Sequence, residues 1–450
     1  MISVQEAKNI ILQNTVDFGI EEVPFMQSIG RILKEDIVAD RDFPPFNRVA
    51  MDGIAINYNY FKKGQRNFTI EGIQPAGSPQ LTMQNSENCI EVMTGAVLPN
   101  NCDTVIRYED VAINNGIATI LVDEITSGKN IHTKGSDKTQ GSLLIPKSSI
   151  ISAAEIGVIA TVGKATIKVT KQPKVMIVST GDELVAVEEN PLAHQIRRSN
   201  VYTLVSLLEK LNIPSKTAHI TDDKAVLKEK INNYLQEYDV LLFSGAVSKG
   251  KFDFLPEVLD ELGVEKLFHK VAQRPGKPFW MGIADALSMS EQNVQQNANC
   301  KTCIADALSM SEQNVQQNAN CKTDTADALS TNSNSQNKTL VFAFPGNPVS
   351  TFVNCVVYFY AWYYKSIGLK ENNQIAILTE NVSFKPNLTY FLQVKLENIK
   401  GQLYATPIKG NGSGDLVSLT EADAFIELPK TEDTEFKKGS GFPLRTYRNF

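Results

Sequence analysis

The sequence has few cysteines, no long apolar run and no excess of positive charge. Its six cysteines in 450 residues are too few for a disulfide framework and are typical of a reducing compartment. The longest strongly apolar stretch, Val356–Tyr364, is far shorter than the roughly 20 residues that a membrane-spanning helix needs. The first residues, Met1–Lys8, contain two charges and no apolar signal core. We therefore expect a cytoplasmic protein without a membrane partner.

The charge balance of the chain argues against nucleic acid as a partner. Lysine and arginine total 44 against 50 aspartate and glutamate residues, which gives a formal net charge of −6. Because a phosphate backbone is bound by a basic protein face, we expect no nucleic-acid partner. The length predicts two to four domains of ordinary soluble type.

A low-complexity segment interrupts the chain at residues 284–338. Ile283–Thr302 is repeated without change as Ile304–Thr323, and the whole segment contains no Phe, Tyr or Trp. A repeat solenoid is one interpretation. We favour a disordered, duplicated surface insert, because this composition buries too little apolar area to offset the entropy of ordering. The short apolar patterns on either side predict that the insert joins two strands.

Cysteine spacing offers one metal motif, Cys300-Lys-Thr-Cys303, inside the insert. Such a pair is compatible with zinc or redox chemistry. No second CxxC and no nearby histidine completes a site, so we interpret Cys303 as a junction residue between the two copies. Cys89, Cys102 and Cys355 lie in apolar surroundings and are predicted to be small core residues.

Strands and helices alternate from Lys171 to about Gly368, which predicts a doubly wound, mostly parallel α/β domain. Residues 42–138 read as short strands broken by Gly, Pro and Asn, and residues after about 372 predict a small C-terminal β domain. The fold class is therefore α/β multidomain with additional β-rich domains. The patterns that carry the α/β prediction are the strands Lys174–Ser179, Asp239–Phe243 and Leu340–Phe344 and the helices Asn200–Leu211 and Val349–Tyr364.

Small-residue turns follow three of these strands. In open α/β sheets ligands bind at the carboxyl ends of strands, and the turns there offer backbone N–H groups to anions. Acidic residues accompany the turns, namely Asp182, Glu183, Asp222, Asp223 and Asp253. Carboxylates beside a phosphate site indicate Mg²⁺. Helix capping explains the same residues without a metal, and the pattern leaves both explanations open.

Six sequence blocks stand out along the chain: PPFNRVAMDGIAI (44–56), MTGAVLPNNCDTVI (93–106), VSTGDELV (178–185), SGAVSKGKFDF (244–254), RPGKPF (274–279) and FPGNPVS (344–350). Together they resemble the molybdopterin molybdenumtransferase family, which includes the bacterial MoeA enzymes and the E domain of gephyrin. The blocks stand in the family's order, and the resemblance covers nearly the whole chain outside the insert.

The resemblance implies the last step of molybdenum cofactor biosynthesis, in which molybdate enters adenylylated molybdopterin and AMP is released, with Mg²⁺ as cofactor. It also implies a homodimer and a transient complex with the preceding adenylyltransferase. The implied domains are a discontinuous domain I (1–41 and 139–170), a β-rich domain II (42–138), a molybdopterin-binding α/β domain III (171–371) and a C-terminal β domain IV (372–450).

The resemblance also implies the site residues, inside these blocks and outside them. The implied catalytic residues are Asp52, Thr94, Asp137 and Glu183. The residues implied to bind the pterin substrate and its phosphates are Ser244, Gly245, Lys277, Pro345, Gly346, Pro348, Ser413 and Ser418. The implied metal ligands are Asp182, Asp222 and Asp253.

Three positions depart from the family pattern. Asn47 stands where an acid is usual, Ala246 where the SGG turn has its second glycine, and Lys251 where an acid is frequent. Two alternative functions remain: a molybdopterin adenylyltransferase, which lacks the MDG and MTGA blocks that this chain has, and a catalytically weakened relative acting as a scaffold.

Overall fold

The computed structural model describes residues 1–247, 253–285, 338–370, 374–432 and 434–448. The chain forms two compact units. We call Glu21–Val169 the β-rich unit, and Met1–Ile20 together with Thr170–Phe450 the α/β unit. The predictions for Lys251 and for the repeats and CxxC pair of the insert lie outside the described residues. The four-domain division stays a prediction.

A six-stranded mixed sheet dominates the β-rich unit. It buries apolar side chains on both faces, in one cluster around Ile90 and Val105 and another around Phe68 and Ile120. In spatial order its strands are Thr104–Arg107, Gly53–Ile56, Cys89–Val92, Asn67–Gln74, Ile117–Ile120 and Val111–Asn114.

Short elements complete this unit around a third apolar cluster that includes Leu33 and Ile159. A capping box at Ser152 and Glu155 starts its longest helix. The paired strands are Ile20–Pro24 with Thr166–Thr170, Ile37–Val38 with Leu143–Ile145, and Arg48–Val49 with Ile131–His132. The helices are Phe25–Gln27 and Tyr108–Asp110 (both 3₁₀), Tyr58–Lys62 and Ala153–Thr161.

The α/β unit contains the predicted doubly wound, mostly parallel sheet. Four neighbouring strands are parallel, and Trp280–Asp285 runs antiparallel to both of its neighbours. Near-continuous Val, Leu, Ile and Phe fill the central strands because both faces are covered. In spatial order the strands are Ser215–Ile220, Val175–Thr180, Val240–Ser244, Lys338–Phe344, Trp280–Asp285 and Glu265–His269.

Local sequence signals explain the helix starts in this unit. The predicted capping box forms, with the Ser3 hydroxyl accepting from the Glu6 N–H and the Ser3 N–H donating to the Glu6 carboxylate. Asp223 caps its helix through the N–H groups of Ala225 and Val226. The helices are Val4–Gln13, Asn200–Glu209, Lys224–Glu237, Leu255–Glu261, Pro348–Asn354, Tyr360–Ser366 and Ser418–Glu421.

The prediction of one continuous helix over Val349–Tyr364 is wrong in one respect. The structure inserts a π-helical turn at Cys355–Phe359 between two α-helical segments. Every residue of that turn is buried, and the apolar pattern does not distinguish such a turn from a regular helix.

The predicted C-terminal β domain is a closed barrel. Five strands each pair with the next one around the barrel, and Thr389–Ile399 closes the barrel by pairing with Ala424–Leu428. The other three are Gln402–Pro407, Ile375–Leu378 and Gly441–Thr446. The short strand Gln273–Arg274 adds to Thr389–Ile399. Two further short pairs are Leu184–Val185 with Ile196–Arg197, and Val382–Ser383 with Glu435–Phe436.

The insert does join two strands, as predicted. Asp285 and Lys338 are direct partners at the end of an antiparallel pair. Lys338 begins the strand that leads to Pro345, so residues 286–337 are attached at the amino edge of the parallel strands. Within the described ranges, no helix has the length and apolarity needed to cross a membrane.

Candidate active site

A cavity of about 670 Å³ in the α/β unit lies at the carboxyl ends of the central strands. We call it the main cavity. The three predicted small-residue turns meet there, because parallel strands end at one edge of the sheet. It is lined by Thr180, Gly181, Glu183, Arg197, Arg198, Asn200, Asp222, Ser244, Gly245, Ala246, Asp253, Pro345, Gly346, Asn347 and Pro348, among others.

The first turn brings Glu183 back over the strand end. Gly181 has φ +130, and a Cβ on it would lie 2.4 Å from the Glu183 carboxylate. A glycine is therefore required for the carboxylate to fold against the chain. Beside it, the buried Thr180 hydroxyl has no hydrogen-bond partner in the part of the chain that the structure describes. A buried hydroxyl without a partner is uncommon in folded proteins.

Asn200 ties the other two turns together. Its Nδ2 group donates to Gly346 O at 2.6 Å and to Ser244 Oγ at 2.9 Å. Ser244 ends one strand, and Gly346 follows the neighbouring strand. Asn200 therefore fixes the spacing of the two backbone turns that line the cavity. The sequence analysis missed this residue, because an Asn at the start of a helix usually acts as a cap.

Carboxylates give the cavity a strongly negative side. Asp222 is partly buried, and Asp182 accepts a hydrogen bond from its N–H at 3.1 Å. Burial raises the pKa of Asp222, and the charges of Asp182, Glu183 and Asp253 raise it further. Among the described residues no group of three or more His, Cys, Asp and Glu is arranged to hold a metal ion.

Two arginines, which the sequence analysis also missed, line the same cavity. Arg197 Nε donates to Glu189 O at 3.0 Å, and Arg198 Nε donates to Val185 O at 3.4 Å. These bonds hold a segment between the first strand and the helix that starts at Asn200. The remaining N–H groups of the arginines can serve an anion. Two adjacent arginines just before a helix were the available signal.

A second cavity of about 340 Å³, the side cavity, shares Pro345 and Asn347 with the main one. Lys277 and Ser413 line it. Ser413 Oγ accepts from Asn347 Nδ2 at 3.0 Å, which links the PGNP turn to the loop before Ser418.

A buried polar network holds the loop of Lys277. Gln273 Nε2 donates to Asn354 Oδ1 at 2.8 Å and to Pro275 O at 3.0 Å, and the Tyr358 hydroxyl donates to Gln273 Oε1. Asn354 Nδ2 donates in turn to Gly276 O at 3.3 Å. A Cβ on Gly276 would lie 2.8 Å from both amides. The network therefore explains the glycine of RPGKP and fixes the backbone that carries the lysine.

The predicted site residues are thus distributed over several places. Asp182 lines neither cavity and accepts a hydrogen bond from the Asp222 N–H. Ser418 is buried and donates hydrogen bonds to Asp415 from its N–H and its hydroxyl. The N–H groups of Asn411 and Ser418 lower the pKa of Asp415. Ser418 lines neither cavity. The main cavity holds Glu183, Asp222, Ser244, Gly245, Asp253, Pro345, Gly346 and Pro348.

Asp52 and Thr94 are paired within the β-rich unit. Both the hydroxyl and the N–H of Thr94 donate to Asp52 Oδ1, at 2.7 and 2.6 Å. These bonds lower the pKa of the Asp52 carboxyl. The following Gly53 leaves no room for a side chain, because a Cβ there would lie 1.8 Å from Ile106 O. The MDG turn therefore presents an ionised carboxylate on a tightly fixed backbone.

Asp137 lies in a loop of the same unit. Its Oδ1 is 2.8 Å from His132 Nε2, and its N–H donates to Phe43 O at 2.9 Å. Asn47, which replaces the usual acid, accepts from the Lys134 N–H at 2.9 Å through its side-chain oxygen. The departure at Asn47 thus keeps an oxygen acceptor for this loop.

Comparison with known proteins identifies the family. Three family models match: MoeA N-terminal region (domain I and II) over residues 2–163, probable molybdopterin binding domain over 176–360, and MoeA C-terminal region (domain IV) over 376–444. A Synechocystis molybdopterin molybdenumtransferase is 36% identical over 447 residues, 99% of each chain. The chain belongs to the MoeA family of molybdopterin molybdenumtransferases.

Other members of the MoeA family agree. A Staphylococcus aureus molybdopterin molybdenumtransferase is 33% identical over 291 residues, covering 63% of this chain and 69% of its own. The crystal structure of the molybdopterin biosynthesis MoeA protein of Pyrococcus horikosii matches with a TM-score of 0.74 and 26% identity, covering all of both chains. The family fold therefore extends over both units of this protein.

Proposed function

We propose that this protein inserts molybdenum from molybdate into adenylylated molybdopterin and releases AMP, the last step of molybdenum cofactor biosynthesis. The main cavity is the observation that carries the proposal. It combines backbone turns, two arginines and several carboxylates at the carboxyl edge of an α/β sheet. A phosphate-bearing pterin substrate and a divalent cation are the ligands that such a set of groups accepts.

Binding and orientation are the first task of this chain's residues. Gly245 and Gly346 allow a substrate to approach the backbone of two turns whose spacing Asn200 fixes. Arg197, Arg198 and, from the side cavity, Lys277 supply positive charge for phosphate and molybdate oxygens. No protein nucleophile is needed, because held reactants and compensated charge lower the barrier to anhydride cleavage.

The carboxylates of the main cavity fit Mg²⁺. The charges of Asp182, Glu183 and Asp253 raise the pKa of Asp222, so a bound cation would favour the ionised form of this carboxyl. Mg²⁺ commonly uses one or two carboxylates together with substrate phosphates and water, so Asp222 and Asp253 are the proposed ligands. Asp182, the third ligand that the resemblance implies, lines neither cavity and accepts a hydrogen bond from the Asp222 N–H instead. When bound, the ion would neutralise charge on the phosphoanhydride.

The acids of the β-rich unit have a separate proposed role. Asp52 and Asp137 are held as hydrogen-bond acceptors, by Thr94 and His132 respectively. We assign them, with Thr94 and Glu183, to catalysis because the family resemblance implies that role. The family resemblance also supports a cytoplasmic homodimer that receives its substrate from the preceding adenylyltransferase in a transient complex.

The test is AMP release from adenylylated molybdopterin by the full chain, with and without molybdate and Mg²⁺. We expect release that requires both and that falls by about a hundredfold or more in Asp52→Ala and Asp222→Asn, the scale of losing a charge-stabilising group. Asp260→Asn, which changes an exposed acid of the helix Leu255–Glu261, is the matched control and should keep full activity.

Two results would contradict the proposal. A folded wild-type chain that releases no AMP under any of these conditions is not this enzyme. Adenylylation of molybdopterin by ATP, without molybdate-dependent AMP release, would instead identify an adenylyltransferase.

A further inference from the structure

The imidazole ring of His132, in the β-rich unit, contacts two side chains. Arg48 Nη2 lies 2.9 Å from His132 Nδ1, and His132 Nε2 lies 2.8 Å from Asp137 Oδ1. Arg48 belongs to the block that contains Asp52, and Asp137 is one of the proposed catalytic acids. None of the sequence motifs assigns a role to the histidine between them.

The hydrogen-bonding partners of His132 determine which of its ring nitrogens carries a proton. A guanidinium group has donors only, so the His132 nitrogen that faces Arg48 must accept and carries no proton. The other nitrogen then carries the proton and donates it to the carboxylate. Both contacts are satisfied by neutral imidazole in the Nε2–H form. A protonated ring would turn an N–H towards the guanidinium and lose that bond.

The backbone makes this arrangement specific. Arg48 and His132 face one another directly in the antiparallel pair of Arg48–Val49 with Ile131–His132. Backbone bonds from Gly135 to Pro44 O and from Asp137 to Phe43 O fix the loop that follows. The main chain thus holds Asp137 in place, and His132 is the side chain that orients its carboxylate.

We infer that His132 is a positioning residue for Asp137, and that Arg48 keeps it in the neutral Nε2–H form that does so. The inference rests on the proposed function, in which Asp137 acts on the substrate. The charged groups that contact the ring, among the described residues, are Arg48 and Asp137. In the same loop Lys134 pairs with Asp42 at 3.6 Å.

Glutamine is the informative replacement at this position. Its amide N–H₂ can donate to Asp137 and its oxygen can accept from Arg48, but it does not titrate. Alanine keeps neither bond. His132→Ala should therefore lower kcat for AMP release by about tenfold with little change in KM, as expected when a reacting group is misplaced. His132→Gln should recover most of that loss.

Rescue by glutamine separates positioning from a structural role, because it restores both hydrogen bonds without restoring the imidazole ring. His194→Gln, which changes an exposed histidine outside both cavities, is the matched control and should release AMP as the wild type does. A folded His132→Ala variant with unchanged kcat would overturn the inference.

Imidazole NMR on the histidine-labelled full chain tests the contacts without any activity. We expect ¹⁵N shifts of the Nε2–H form for His132 at neutral pH, and a weaker preference for that form in Arg48→Gln and in Asp137→Asn. The opposite tautomer, or a preference unmoved by both changes, would overturn the inference even in an inactive protein. Correct NMR behaviour without AMP release would reject the proposed function alone.

Discussion

Thr94 donates two hydrogen bonds to the same oxygen of Asp52, from its hydroxyl at 2.7 Å and from its backbone N–H at 2.6 Å. The residues are 42 positions apart and belong to two different sequence blocks. Both bonds favour the ionised carboxylate and lower the pKa of Asp52. The pair therefore presents a fixed negative charge at every pH where the protein is used.

Thr94→Val should raise the pKa of Asp52 towards the ordinary value of about 3.9, because only the backbone donor remains. The stabilisation from the lowered pKa is present above the unfolded-state pKa and is lost as the pH falls through the folded-state pKa. The stability difference between wild type and variant should thus disappear in strong acid. Carboxyl ¹³C NMR and unfolding at several pH values measure both effects.

Thr94→Ser is the control for that experiment, since it retains the hydroxyl. We expect Thr94→Ser to keep the wild-type pKa of Asp52 and nearly wild-type AMP release. Thr94→Val should lower the rate of AMP release by about tenfold, the size of effect of one positioning hydrogen bond. Equal behaviour of Ser and Val would show that the hydroxyl contributes nothing.

Ala246 is strained, because its φ of +56 suits glycine and costs another residue about 1–2 kcal/mol. Ala246→Gly should therefore increase the free energy of unfolding by up to about 1 kcal/mol, after subtracting the extra entropy that glycine loses on folding. Ala225→Gly, on an exposed helical position with ordinary φ, should decrease it. Urea denaturation measures the free energy of unfolding of both variants. Destabilisation by Ala246→Gly as well as by Ala225→Gly would contradict the prediction.

Tyr358→Phe should destabilise the α/β unit. Tyr358 and Gln273 are both fully buried, and removing the hydroxyl leaves Gln273 Oε1 without its donor. An unsatisfied buried acceptor costs about 1–3 kcal/mol. Thermal unfolding should show a drop of a few degrees, whereas Tyr202→Phe, at an exposed position, should unfold as the wild type does. An unchanged midpoint for Tyr358→Phe would mean that another group replaces the donor.

Removal of residues 286–337 should preserve activity. Asp285 and Lys338 are paired at the amino edge of the sheet, whereas the main cavity lies at the carboxyl edge. Joining them by Asn-Gly makes a two-residue hairpin of the preferred type. We expect AMP release within about twofold of wild type and an equal or higher unfolding midpoint, since a shorter loop costs less entropy to close. A folded deletion variant with a tenfold loss would implicate the insert in function.

Local sequence signals predicted much of this fold. The capping box at Ser3, the parallel strands and the turns after them follow from short-range pattern. Non-local contacts did not follow: Asn200 bonds to Gly346, 146 positions away, and Arg48 to His132, 84 positions away. Neither Asn200 nor Arg48 is a residue type that by itself predicts such a contact. Closure of the barrel through Thr389–Ile399 likewise depends on pairing that no single strand pattern encodes.

The register at Asp285 and Lys338 also makes this edge of the sheet a place where foreign sequence can be added. A fluorescent protein whose own termini lie close together is expected to fold there as an independent domain, because the two strands already hold its attachment points side by side. Such a fusion would leave both chain ends native and allow the enzyme to be followed in living cells.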